Sequence, residues 1–140
     1  MDAADAAAAL ANIALFRGLS VRDLAQVADM AKELNFAVGK AITEEGAAGG
    51  RFYVLLDGEA DVLIGDDVVN NLKAGDSFGE ISLIDGQPRT ATVVARSPLR
   101  TLSLSSWNFR PLLKEHPSIA ERVMLDLCRR LRETEASHLH

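Results

Sequence analysis

A stretch of sixteen residues, FGEISLIDGQPRTATV at positions 78–93, holds the groups best suited to binding a ligand. Gly79 permits a tight turn, and residues 80–84 predict about one turn of helix. The first turn of a helix has backbone N–H groups without intrahelical partners, and such groups suit a phosphate. Arg89 follows the short helix and can fold back over the same place, where it adds a bidentate, charge-assisted contact to the anion.

Glu80 is an unexpected neighbour for an anion unless the ligand also offers a hydroxyl donor. A ribose 2′-OH is such a donor, so the residues together predict a pocket for one singly charged phosphate joined to a ribose. The structural alternative is a salt bridge between Glu80 and Arg89 across a hairpin. That alternative does not explain Gly79, Pro88 and Ala91.

The stretch resembles the phosphate-binding cassette of cyclic nucleotide-binding domains, the family of catabolite activator proteins, cAMP-dependent kinase regulatory subunits and nucleotide-gated channels. The family pattern is Phe-Gly-Glu, a small helix, then Pro-Arg-Ala/Thr-Ala-Thr/Ser-Val, and residues 78–93 match it without a gap. The likeness continues upstream through glycine turns and downstream over two closing helices, roughly residues 15–135.

The resemblance implies a role for each matched residue. Glu80 would accept a hydrogen bond from the ribose 2′-OH, and Arg89 would pair with the cyclic phosphate. The phosphate oxygens would be held by backbone amides, those of Gly79, Ile81, Ser82 and Thr90.

Three residues are implied to lie near the base. Val62 occupies a position where family members contact it. The Thr90 hydroxyl can bond the guanine amino group of cGMP, but threonine also occurs in cAMP binders, so cAMP is only favoured. Thr134 continues the apolar stripe of the last helix, which in the family closes over the base. An exposed, frayed last turn is the alternative for Thr134, and ordinary strand propensity is the alternative for Thr90.

The pattern of apolar residues and glycines changes twice along the chain. This predicts one domain, residues 1–140, with three parts. Residues 1–33 have helical periodicity, residues 34–105 are short apolar runs separated by glycine, and residues 106–137 are helical again. Short strands with turn signals at this spacing indicate an antiparallel sandwich or barrel. The resemblance narrows this to an α+β fold with an eight-stranded antiparallel β-roll, flanked by N-terminal helices and two C-terminal helices.

Local signals predict where several elements begin and end. Ser20 with Asp23 predicts a capped helix that runs to about Glu33, and the first strand is expected at residues 36–38. Alternation along residues 59–64 predicts that Ala60, Val62 and Ile64 face the interior of the roll.

The last helix is predicted to begin at Pro117 and to pack against the roll through one apolar stripe. Cys128 lies at the margin of this stripe and is expected to be a small packing residue. The stripe consists of Ile119, Ala120, Val123, Met124, Leu127 and Leu131.

Composition excludes several classes of protein. The chain has 140 residues and a net charge of −5, which argues against a nucleic-acid binder. The single cysteine excludes a disulfide framework and cysteine-held metal sites, and it suits a reducing compartment. An acidic, alanine-rich start is unlike a secretory signal, and no apolar run reaches the ~18 residues that cross a bilayer. We therefore expect a cytoplasmic protein without a membrane partner.

These observations favour a regulatory module that binds cAMP or cGMP, has no catalytic activity, cofactor or metal, and moves its C-terminal helix when the ligand binds. One alternative is the same fold with a vestigial pocket, acting as an interaction or dimerisation domain; Leu125, off the main stripe, permits a homodimer. Another is a cupin-like metalloenzyme, which needs histidines inside the roll, whereas His116, His138 and His140 lie in the helical tail. The effector, and whether the domain stands alone or belongs to a longer chain, stay open.

Overall fold

The computed structural model describes residues 2–44, 46, 50–87 and 91–138, with only the backbone for residues 80, 81, 137 and 138. In these residues the chain forms a single 3₁₀ turn, five α-helices and eight strands. The helical elements are α1 Ala3–Ala11, the 3₁₀ turn Ala14–Phe16, α2 Val21–Ala28, α3 Glu80–Asp85, α4 Ser106–Glu115 and α5 Pro117–His138. The strands are β1 Lys32–Phe36, β2 Ala41–Thr43, β3 Arg51–Asp57, β4 Ala60–Ile64, β5 Asp67–Leu72, β6 Ser77–Phe78, β7 Thr92–Ala95 and β8 Leu99–Ser105.

The strands form two four-stranded antiparallel sheets. One sheet has the order β1-β8-β3-β6 and the other has the order β2-β7-β4-β5. Successive strands therefore alternate between the two sheets over much of the chain, as expected of a roll. The predicted α+β fold, with eight antiparallel strands, N-terminal helices and two C-terminal helices, is confirmed.

Helix α2 begins as predicted and ends earlier than predicted. The Ser20 hydroxyl caps the helix by accepting a hydrogen bond from the backbone N–H of Asp23, at 3.0 Å. The helix stops at Ala28, and Glu33 belongs to β1 rather than to α2. The reason is tertiary, because β1 pairs with β8 in antiparallel register and the Glu33 carboxylate accepts two bonds from the Arg100 guanidinium, at 2.6 and 3.1 Å.

Two apolar clusters lie on either side of the β1-β8-β3-β6 sheet. The outer cluster joins this sheet to the helices, and Phe16 meets both Phe52 and Phe109 edge to face, with ring centroids 6.0 and 5.9 Å apart. The inner cluster fills the roll. Strand β3 contributes to both clusters, so four consecutive residues, 52–55, are buried and the period-2 alternation of a half-exposed strand is absent.

Strand β4 follows the predicted alternation only in part. Ala60 is fully buried and Val62 is half-buried against the inner cluster, but Ile64 is 52% exposed. The prediction for Ile64 was wrong because the pairing between β4 and β7 ends at Leu63 and Thr92. Ile64 lies beyond this last pair, next to the turn of the β4–β5 hairpin, where its sheet is only two strands wide.

Helix α5 is packed along its first half only. Ile119 and Val123 are buried, the Ser118 hydroxyl hydrogen-bonds the Asp23 carboxylate at 2.5 Å, and the Arg122 Nε donates to the Arg17 carbonyl at 2.8 Å.

The predicted stripe is only partly buried. Ile119, Val123 and Leu127 pack on the outer cluster, but Met124 and Leu131 are 59% and 61% exposed, and Cys128 is exposed rather than packed. The packed residues are four apart, so they lie along one narrow line of the helix. Met124 falls beside that line, and Leu131 lies one turn beyond Leu127, in the mostly exposed second half of the helix. No helix in the described ranges is both long enough and apolar enough to cross a membrane.

Candidate ligand-binding site

Two left-handed glycines bracket helix α3. Gly79 stands at its N-cap with φ +89°, and Gly86 stands at its C-cap with φ +68°. Residues with a Cβ rarely adopt such angles, so both ends of this six-residue helix depend on glycine. The backbone N–H of Leu83 donates to the Gly79 carbonyl at 2.9 Å, and that of Gly86 donates to the Ser82 carbonyl at 2.8 Å. The helix is therefore short and sharply bounded, as the sequence predicted.

Helix α3 is attached to the roll by the strand that precedes it and by its own apolar face. The preceding strand β6 pairs with β3, and the Phe78 ring stacks on Tyr53 with centroids 5.0 Å apart and planes 19° apart. Leu83 is completely buried, and Ile84 packs on the same outer cluster as Leu112 of α4. The first turn of α3 therefore has a defined position at the edge of the roll.

The exit from α3 is also held by hydrogen bonds. The Asp85 carboxylate accepts from the backbone N–H of Gln87 at 2.8 Å, and the Ser82 hydroxyl donates to the Gln87 carbonyl at 3.3 Å. These bonds fix the turn at Gly86 and Gln87 against the end of α3. Asp85 was not singled out from the sequence, although an Asp followed by Gly is a recognisable turn signal.

Four of the predicted cassette residues lie at the start of α3. Gly79 is the N-cap of the helix, and Glu80, Ile81 and Ser82 form its first turn. Helix geometry leaves the N–H groups of that turn without intrahelical partners. The side chains of Glu80 and Ile81 lie outside the described part of the structure. Arg89 and Thr90 lie outside it entirely, and their roles stay predictions.

Val62 lies inside the roll close to the cassette. It pairs across the sheet with Val93, the last residue of the cassette, and it packs on the same inner cluster as Phe78, the first residue of the cassette. Its side chain is half-buried, so part of its surface is available to a ligand. The structure therefore brings Val62 near both ends of the cassette.

Thr134 is exposed in the second half of α5. Its hydroxyl donates to the Arg130 carbonyl of the preceding turn at 3.1 Å. A contact between Thr134 and a base stays a prediction.

Asp61 forms an electrostatic network on the outer face of β4. Its carboxylate accepts from Asn71 Nδ2 at 2.9 Å and from Arg96 Nε at 2.6 Å. These two hydrogen bonds, first the one from Asn71, lower the pKa of Asp61 below its ordinary value. The network connects β4 to β5 and to the turn after β7. Sequence alternation marked Asp61 only as outward-facing, because its partners lie 10 and 35 residues away.

The part of the chain that the structure describes contains no group of three or more His, Cys, Asp or Glu side chains positioned to hold a metal ion. The chemistry at this end of the roll is therefore that of free amides, a carboxyl residue and apolar contacts. The described residues therefore form an antiparallel roll that holds a glycine-bracketed helix beside two C-terminal helices.

Comparison with known proteins identifies the family. Residues 33–116 match the model of the cyclic nucleotide-binding domain, and the chain belongs to that family. A cAMP-dependent protein kinase regulatory subunit from Aspergillus fumigatus is 35% identical over 116 residues, and one from Eremothecium gossypii is 39% identical over 105 residues. These matches cover 81% and 74% of this chain but only 28% and 23% of the two relatives.

Solved structures share the fold over most of the chain. The N-terminal domain of a transcriptional regulator from Streptomyces coelicolor A3(2) aligns with a TM-score of 0.83 and 28% identity, covering 90% of this chain and 94% of that domain. The catabolite activator protein of Thermus thermophilus aligns with a TM-score of 0.73 and 27% identity, covering 89% of this chain and 61% of that protein.

Proposed function

We propose that this domain binds a cyclic nucleotide, with cAMP favoured over cGMP, at residues 78–93, and that it has a regulatory rather than a catalytic role. The observation that carries the proposal is the position of α3, bounded by Gly79 and Gly86 and anchored by Leu83. A helix held in this way presents its first-turn amides at one place without reorganisation when the anion arrives. The relatives named as cAMP-dependent kinase regulatory subunits support cAMP as the ligand.

Four kinds of protein group are proposed to contact different parts of the ligand. The Arg89 guanidinium pairs with the phosphate, and the Glu80 carboxylate accepts from the ribose 2′-OH. Val62 contacts the base from inside the roll. The phosphate oxygens also accept from the backbone amides of Gly79, Ile81, Ser82 and Thr90. Thr90 and Thr134 are further candidates for contact with the base.

Ligand binding is proposed to reposition α5. Helix α3 packs on the outer cluster through Leu83 and Ile84, and the same cluster contains Phe109 and Leu112 of α4. A shift of α3 therefore changes the packing of α4, which continues into α5 at His116. The ligand drives this change only to the extent that it binds one arrangement more tightly than the other.

Isothermal titration calorimetry with cAMP, cGMP and 5′-AMP tests the pocket, the base preference and the need for a cyclic phosphate. We expect cAMP to bind most tightly and 5′-AMP least. Arg89→Gln should weaken cAMP binding by about 10- to 100-fold, because a hydrogen bond to a charged group contributes ~1.5–3 kcal/mol. Arg22→Gln, at an exposed position of α2, is the matched control and should bind as the wild type does. Absence of binding by all three nucleotides at millimolar concentration, in protein whose circular dichroism is that of a folded chain, contradicts the proposal.

A second candidate role is self-association through α5. Met124, Leu125 and Leu131 are 59%, 53% and 61% exposed, so α5 presents three large apolar side chains that a partner could cover. A homodimer would cover them, and an effector protein is the other partner that would do so. Sedimentation velocity with and without cAMP distinguishes a monomer from a dimer.

The expected cytoplasmic location of the protein also stays a prediction.

A further inference from the structure

The outer face of α4 combines one large aromatic ring with positive charge. Trp107 is 60% exposed, and Arg110, Pro111 and Lys114 are exposed as well. At about 100° per residue these four side chains lie within an arc of about 100°, on the side of the helix opposite the buried Phe109. We refer to these four residues, together with Arg51, as the α4 outer face.

Two contacts hold Trp107 in this position. The Arg51 guanidinium carbon lies 4.9 Å from the centre of the Trp107 ring, a cation–π arrangement. The neighbouring Ser106 donates its backbone N–H to the Gly50 carbonyl at 2.6 Å, which fixes the start of α4 against β3. A Cβ built on Gly50 would lie only 2.9 Å from the Ser106 hydroxyl, so glycine permits this close approach. The indole therefore has the Arg51 guanidinium on one face, although most of the residue faces solvent.

The charge of the α4 outer face is opposite to that of the whole chain. Neither Arg110 nor Lys114 forms an ion pair with any residue in the described ranges, although the chain carries a net charge of −5. Isolated lysines and arginines on a surface need no explanation. An exposed tryptophan flanked by cations does need an explanation, because Trp and Arg are among the residues enriched where protein interfaces have their largest binding energies.

We propose that the α4 outer face is a docking surface for an extended acidic segment of another protein. Arg110 and Lys114 are four residues apart, about 6 Å along the helix axis. Alternate side chains of an extended segment are about 6.6 Å apart on one side, so carboxylates at positions i and i+2 can meet both cations. An apolar side chain two residues before them reaches the Trp107 ring. The segment therefore has the form apolar-x-acid-x-acid.

An acidic protein segment fits this surface better than an anionic membrane does. Polybasic membrane contacts in proteins use clusters of 4–8 lysines and arginines, whereas this face has three. A flat bilayer would also meet the rest of an acidic protein, whose repulsion is felt within a Debye length of about 8 Å at physiological salt. A narrow peptide contacts the basic face alone.

The proposal does not depend on nucleotide binding. The α4 outer face is turned away from the buried face of α4, where Phe109 and Leu112 pack on the outer cluster with α3. Docking is therefore measured in the nucleotide-free protein, and its failure leaves the proposed cyclic nucleotide site untouched.

Trp107 is the only tryptophan of the chain, so it reports on its own surface. The probe is a terminally blocked peptide, Ser-Gly-Leu-Ser-Glu-Ser-Glu-Gly-Ser, and its matched control has glutamine in place of both glutamates. Tryptophan fluorescence and the single indole N–H resonance are followed during titration. We expect saturable changes with the glutamate peptide, weakening as NaCl is raised, and at least fivefold weaker binding of the glutamine peptide.

Charge reversal assigns the binding to this face. R110E/K114E should lower the affinity for the glutamate peptide by about tenfold or more, since two ion pairs are lost and replaced by repulsion. R22E/K40E makes the same change in net charge at exposed positions elsewhere and should alter the affinity less than twofold. Circular dichroism verifies that both variants are folded.

Three results would overturn the proposal. The first is no change in the Trp107 signals with the glutamate peptide at millimolar concentration. The second is equal binding of the glutamate and glutamine peptides, or equal loss in R110E/K114E and R22E/K40E. The third is binding to vesicles of phosphatidylserine and phosphatidylcholine through the same residues without binding to the peptide, which would assign the face to a lipid surface.

Discussion

Gly79 combines a local backbone requirement with a position in the proposed site. An alanine at φ +89° is strained by about 1–2 kcal/mol, since its Cβ approaches the following carbonyl oxygen. Gly79→Ala should therefore lower the free energy of unfolding in urea by about that amount and also weaken cAMP binding. Gly39→Ala is the matched control, because Gly39 has φ +85° and nothing within 4 Å of a built Cβ. It should lose similar stability and keep its affinity; equal affinity in both variants would remove Gly79 from the site.

Asp61 predicts a pH dependence of stability. Its pKa is lowered from the ordinary value of 3.8, mainly by the hydrogen bonds from Asn71 and Arg96, so the folded state binds its proton less readily than the unfolded state does. The stabilisation is therefore complete above the unfolded pKa and is lost as the pH falls through the lower folded value. Asp61→Asn should unfold at lower urea than the wild type at pH 7, and the difference should shrink below about pH 4.

Asp67→Asn, on the exposed start of β5, is the control for this experiment and should change little at either pH. An Asp61→Asn deficit that is the same at pH 7 and at pH 3 would show that the carboxylate charge is not what stabilises the sheet.

At the scale of elements, the residues of α5 differ sharply in how deeply they are buried. Ile119 is fully buried in the outer cluster, whereas Met124, five residues later, is 59% exposed. Ile119→Ala should cost about 2–4 kcal/mol because it leaves a cavity, and Met124→Ala should change the free energy of unfolding by no more than ~0.5 kcal/mol. Urea unfolding followed by circular dichroism measures both. Comparable losses would mean that Met124 is covered in solution, as a dimer requires.

At the scale of the whole molecule, the exposed half of α5 is the part able to move without breaking the core. Cys128 is the only cysteine and is exposed on this half, so a thiol-reactive fluorophore attached there reports on α5. If cAMP repositions the helix, the anisotropy or emission maximum of the label should change and saturate with the calorimetric affinity. A label at Lys40→Cys in a Cys128→Ser background should not respond. Saturable binding without any change at Cys128 would separate ligand binding from movement of the helix.

Local interactions explain what could be read from the chain alone. The glycines around α3, the Ser20 cap and the Pro117 start of α5 were predicted because each depends on the backbone preferences of a few adjacent residues. The strands of the roll were likewise marked by glycine turns between short apolar runs. The matched pattern of residues 78–93 identified the family before any coordinates, and the comparisons confirm that family.

Pairing between distant parts of the chain determined the rest. Glu33 lies in a strand rather than a helix because it pairs with Leu102 and Arg100 of β8, 69 and 67 residues away, and the energy of that pairing exceeds a weak helical preference. The length of α5 that is buried, and the exposure of Ile64, depend in the same way on where a neighbouring element ends. Hydrophobic periodicity shows which face of an element is apolar, but only the folded chain shows whether something lies against that face.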